Sequence, residues 1–141
     1  MRTALAVLAA MSILAGAMAI LAGCGEEVQA PDLFHVTRVG QGQKLTLLVN
    51  DAGTIACNGG KPKSLPDPLL LQARDLATNL NDDAKAKLTS PRTSRSVFLY
   101  TVKVQNGTFT FPDVAARARK ELAQLELFVV KAAAIPCGIS G

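Results

Sequence analysis

Asn106-Gly107 sits between two runs in which apolar and polar residues alternate, Val97 to Val104 and Thr108 to Phe111. An Asn-Gly pair tolerates the backbone angles of a two-residue hairpin turn, which makes it the best short hairpin signal in the chain. With those two residues as the turn, Val104 faces Phe109 and Val102 faces Phe111, and Phe98 and Tyr100 extend the same face. Aromatics are scarce and Trp is absent. This hairpin is therefore expected to supply a large share of the core, since each buried aromatic removes about 150–250 Å² from water. Asn106-Gly107-Thr108 also matches a glycosylation sequon, but the turn accounts for these residues more simply.

The same alternation reads as strands earlier in the chain. Leu33 to Val39 is β-branched and apolar, and Gly40-Gln41-Gly42 is a loop. Lys44 to Asn50 is a second strand and Thr54 to Cys57 a third. Asn50 to Gly53 joins the last two as a hairpin, because Asn, Asp and Gly suit tight turns. Asn58 to Leu65 reads as a Gly/Lys/Pro loop. Asp67 and Pro68 then suit the N-cap and first position of a helix. Leu69, Ala73, Leu76 and Leu80 give that helix one apolar face, and Asn81-Asp82-Asp83 can break it. Pro112-Asp113 opens a last helix along Ala115, Ala118, Leu122, Leu125, Val129 and Ala132. Leu127 to Val130 is apolar enough to be helix or strand. The order β-β-β-α-β-β-α implies an α+β domain: an antiparallel sheet of about five strands built from hairpins, with two helices packed on one face.

The N-terminus has a different character. One Arg follows Met1, an apolar run extends from Ala4 to Ala22, and hydrophobicity stops at Gly23-Cys24-Gly25-Glu26-Glu27. That layout is a secretory signal. Leu21-Ala22-Gly23-Cys24 resembles the lipobox of bacterial lipoproteins, in which a branched apolar residue and two small residues precede the cysteine. The resemblance implies that Cys24 carries a diacylglycerol and becomes the first residue after cleavage. The alternatives are a plain membrane anchor, which the Ala- and Gly-rich run interrupted by Ser12 argues against, and cleavage at another Ala-rich site. The expected organisation is a signal peptide at residues 1–23, a membrane tether at 24–32 and one domain at 33–141. The tether spans at most ~30 Å when extended, so the domain is held close to the bilayer.

The chain has three cysteines. An odd cysteine in an exported protein needs an explanation. With Cys24 lipidated, Cys57 and Cys137 remain, and an oxidising compartment favours one disulfide between them. Two free buried thiols are the alternative. Their spacing and the single histidine argue against a redox pair or a zinc site. Loss of Arg2 leaves 14 of the 15 Lys and Arg against 11 Asp and Glu. That excess is mild; it could suit a position near anionic headgroups, but an ordinary mixed surface explains it more simply.

Sequence tests for chemistry give little. Gly59-Gly60-Lys61 lacks the first glycine and the Ser/Thr of a phosphate loop, since Ile55 and Pro62 stand there. Gly40 and Gly42 lack the third glycine of a dinucleotide site. His35 lies in a strand, and no Gly-x-Ser-x-Gly elbow accompanies it. Asp82-Asp83 lacks calcium-loop spacing and reads as a solvated helix end. Arg92, Arg95, Arg117, Arg119 and Lys120 would form a basic patch only if loop and helix are adjacent, and no interleaved aromatics suggest nucleic acid. No catalytic residue, metal ligand or cofactor is expected. Beyond the lipobox, Leu-Thr-Leu-Leu-Val-Asn-Asp-x-Gly-Thr at 45–54 and Cys-Asn-Gly-Gly at 57–60 resemble small actinobacterial lipoproteins of unknown function. The expected role is a non-enzymatic binding domain on the extracytoplasmic face of the cell membrane. Its expected partners are the membrane, through the N-terminal lipid, and a protein or envelope ligand. A carboxylate-based envelope hydrolase and an accessory subunit of an envelope complex are the other readings.

Overall fold

The computed structural model describes residues 32–139. The expected signal peptide, Cys24 and all of the expected tether except Asp32 lie outside the described residues. The strands are β1 (Asp32–Gly40), β2 (Gln43–Asn50), β3 (Thr54–Cys57), β4 (Lys63–Ser64), β5 (Phe98–Val104) and β6 (Gly107–Pro112). They form one antiparallel sheet in the order β4-β3-β2-β1-β5-β6. Helix α1 (Asp67–Lys85) and helix α2 (Lys120–Ala134) complete the α+β fold.

Strand alternation decides which face is buried. Phe34, Val36, Leu45, Leu47, Val49, Ile55, Tyr100, Val102, Phe109 and Phe111 point from the sheet into the core. They meet Leu69, Ala73, Leu76 and Leu80 of α1 and Leu122, Leu125, Phe128, Val129 and Ala132 of α2. Phe34 of β1 meets Phe128 of α2 edge to face, with ring centroids 5.5 Å apart. Tyr100 stacks on Phe111 at 5.0 Å. The positive φ of Gln41 and Gly42 suits the two-residue turn from β1 into β2. At the next turn the Asn50 side chain accepts from the Ala52 amide at 2.8 Å, the local bond that favours Asn there.

Six strands replace the expected five. The sixth is β4, inside the stretch read as a loop. Leu65 is buried and its amide donates to the Gly53 carbonyl, which draws Lys63-Ser64 alongside β3. The second hairpin turns at Gln105-Asn106, so Val102 pairs with Phe109 and Tyr100 with Phe111, two residues from the expected register. Asn81 of α1 explains the shift: its side chain accepts from the Asn106 amide at 2.9 Å and holds that residue in the turn.

Three helix expectations also change. Pro66, not Asp67, is the N-cap of α1, and no side chain caps it. Asn81-Asp82-Asp83 does not end the helix, because Asp83 is turned inward against Arg119. Lys87 ends it instead, in the left-handed conformation with its amide bonded to the Ala84 carbonyl. Asp113 opens a 3₁₀ turn (Asp113–Arg117), and α2 begins separately after an extended Arg119. Leu127 to Val130 is helix. A Cys57–Cys137 disulfide, with Cα atoms 5.9 Å apart, ties the end of β3 to the chain after α2.

Candidate binding face

The helices cover one side of the sheet, and among the described residues no helix covers the other. The open side carries Leu33, His35, Thr37 and Val39 of β1, Lys44, Thr46 and Leu48 of β2, and Thr54 and Ala56 of β3. It continues with Leu99, Thr101 and Lys103 of β5 and Thr108 and Thr110 of β6. None of these positions is Asp or Glu. The pairing register aligns Thr46, Thr37, Thr101 and Thr110 in one row across four strands. At the usual strand spacing their backbones recur every ~4.8 Å. Thr101 and Thr110 hydroxyls lie 3.4 Å apart, and Thr89 bridges alongside Thr110 at the outer edge.

At the lower end of this face a cleft of about 440 Å³ opens between β1 and β5. Its origin is a mismatch in pairing. β1 stays paired with β2 down to Asp32, across a bulge at Leu33, but its pairing with β5 stops at His35 opposite Lys103. Leu33, Phe34, Leu48 and Val104 make the apolar part, and His35, Lys103, Gln105 and Asp32 the polar part. Asp32 accepts from the Asn50 side chain at 3.1 Å. His35, expected in a strand with no catalytic role assigned, stands on this open side.

On the helical side a groove between α1 and α2 is lined by Asp75, Asp82, Asp83, Arg119, Lys120 and Glu121 among others. Arg119 donates to Asp83 at 2.6 Å and to Glu121 at 2.7 Å. Burial pushes the Asp83 carboxyl above its ordinary value, against the pull of Arg119, and its second oxygen has no hydrogen-bond partner. Asp83 is therefore not the solvated helix end expected of it.

Glu126 of α2 is a further acid that the sequence did not single out. Burial, and behind it the charge of Asp113, pushes its carboxyl up to about 7. The two share a cleft of about 490 Å³ with Arg95 and Arg117. Asp113 is already engaged: its carboxylate accepts from the amides of Val97 and Val114. Tyr100, raised to about 12 by burial and then by Glu126, lies in the core beneath.

The basic residues weighed as a patch divide among three places. Arg95 and Arg117 meet at the Glu126 cleft, Arg119 and Lys120 line the α1–α2 groove, and Arg92 lies by the outer edge of β6. Among the described residues no three His, Cys, Asp or Glu are grouped to hold a metal ion, and no helix is long and apolar enough to cross a membrane. The threonine row was readable in principle, since Thr37, Thr46, Thr101 and Thr110 all fall in the polar phase of their strands. Its alignment depends on register, which alternation alone does not set. Asp83 and Glu126 gave no signal, because their burial depends on how two helices meet. No family model matches this chain, and neither a curated protein nor a solved structure matches it.

Proposed function

We propose that the chain is a lipid-anchored, extracytoplasmic binding domain whose open sheet face takes an envelope ligand. The carrying observation is the open face itself: a surface with a row of threonines, lysines at its two ends and one acid, Asp32, at its lower rim. Rows of hydroxyls donate and accept along a line, and a face with one carboxylate, itself bonded by Asn50, repels a negatively charged partner little. The ligand that fits is hydroxyl-rich and anionic. The lipobox resemblance at Leu21-Ala22-Gly23-Cys24 supports the anchor, and the short tether keeps the domain by the membrane.

A photo-crosslinking side chain at Thr37 or Thr101, in cells, tests this reading. A discrete adduct from these sites, absent from Asn79 on α1, is the expected result. Equal or absent adducts from all three would end it. Mass spectrometry of the unreduced native protein reports the acyl mass on Cys24 independently.

A carboxylate-based hydrolase is the second reading, favoured by one observation: Glu126 holds its proton near neutrality in a cleft shared with Asp113. It ranks below the first because Asp113 is occupied by backbone amides. Loss of hydrolysis of envelope glycan in Glu126→Gln, at unchanged stability, would reverse that ranking.

A further inference from the structure

We propose that the cleft between the start of β1 and the end of β5 docks an anionic phospholipid of the bilayer that holds the anchor. The proposal rests on the lipid-anchor reading and adds an orientation to it. Asp32, the first residue of β1, lies on the rim of this cleft. Only eight residues, Gly25 to Asp32, lead from Cys24 to the rim of the cleft. Fully extended, they reach ~30 Å at most, so an anchored Cys24 keeps this end of the sheet within that distance of the membrane.

The cleft has the chemistry of an interface. Leu33 and Leu48 offer half-exposed apolar surface, and buried Phe34 forms the inner wall. Lys103 stands opposite His35 across the β1–β5 pairing, which puts an ammonium and an imidazole beside the leucines. One acid lines the cleft, Asp32, and its carboxylate is bonded by Asn50. An acyl chain against the leucines and a phosphate at Lys103 satisfies both parts. Docked this way, the domain stands on its lower end and the threonine row remains open to the envelope.

The absence of Trp allows a clean reporter. The full chain carrying Leu48→Trp is purified from membranes and reconstituted in phosphatidylcholine vesicles with and without phosphatidylglycerol. The expected result is blue-shifted emission, quenched by lipids brominated on their acyl chains, and stronger with phosphatidylglycerol. Gln105→Trp, at an exposed rim position, repeats the measurement without disturbing a packed side chain. Val39→Trp, at the opposite end of β1, is expected to stay unquenched. Adding Lys103→Gln should lower the ratio of docked to free domain about five-fold, the equivalent of about 1 kcal/mol for one basic side chain at an anionic surface. Unquenched emission from both cleft reporters overturns the proposal, as does equal quenching at Val39→Trp or indifference to phosphatidylglycerol. Mass spectrometry of the same preparation reads the acyl group on Cys24. If that group is missing the anchor reading fails, while quenching on added vesicles still decides whether the cleft docks lipid.

Discussion

Opening the Cys57–Cys137 bond releases a constraint whose size follows from topology. The bridge closes a loop of sequence separation 80, between the end of β3 and the tail beyond α2. In the chain-entropy model such a loop stabilises the fold by ~4.5 kcal/mol, by restricting the unfolded chain. With m about 1–2 kcal/mol per molar urea, the midpoint should fall by roughly 2–4.5 M on reduction. For a domain of this size the same loss lowers Tm by about 20 °C. The native state has other ties at this end: Cys137 is buried, its amide donates to the Ala132 carbonyl, and Ile139 donates to Ala133. The reduced domain should therefore keep its fold at low denaturant. Equilibrium urea unfolding of the oxidised chain, the reduced chain and Cys57→Ser/Cys137→Ser measures the difference. A loss below about 1.5 kcal/mol, with m unchanged, would refute the premise that the reduced unfolded chain explores the whole loop.

Glu126 is protonated more readily in the folded chain, about 7, than at its ordinary 4.5. The folded state thus binds the extra proton between those values, and stability should rise as pH falls from 8 to 5. Glu126→Gln should remove most of that slope and gain about 1 kcal/mol at pH 8, a figure reduced for solvent screening, as pH-dependent urea midpoints would show. Arg119→Gln strands the buried Asp83 carboxylate and should cost about 2 kcal/mol at pH 7; Asp83→Asn in the same chain should recover part of it, and a double-mutant cycle measures the coupling. Phe128→Ala removes the ring that locks α2 onto Phe34 and should cost about 3–5 kcal/mol by thermal unfolding. A Cβ at Gly40 would collide with the Val97 carbonyl and the Phe98 ring, so Gly40→Ala should cost about 1–3 kcal/mol, read as a lowered urea midpoint.

Strand alternation and the spacing of Leu69, Ala73, Leu76 and Leu80 carried the element order and the buried face, because both depend on neighbours within a few residues. The pairing of Cys57 with Cys137 also followed from counting. What escaped were features set by contacts between distant segments. Asn81 fixes the hairpin turn 25 residues away in sequence. Leu65 recruits β4 by burying itself, and Asp83 keeps α1 intact through Arg119. The Asn106-Gly107 pair illustrates the limit: its local preference located the hairpin, and a tertiary bond moved the turn by one residue. The threonine row is the same kind of quantity, legible residue by residue and invisible as a line.

The sheet order places β1, the first strand to leave the ribosome, second from neither edge but between β2 and β5. Its neighbour β2 follows after a two-residue turn, whereas β5 begins at Phe98, on the far side of β3, β4 and α1. Until that strand is made, β1 presents a row of unpaired amides and carbonyls on one side. Closing the sheet therefore waits on a contact between residues some sixty apart, of the kind that slows folding. For the exported chain proposed above, the lateness of that contact would be an advantage: the sheet would be completed only once most of the polypeptide had been released.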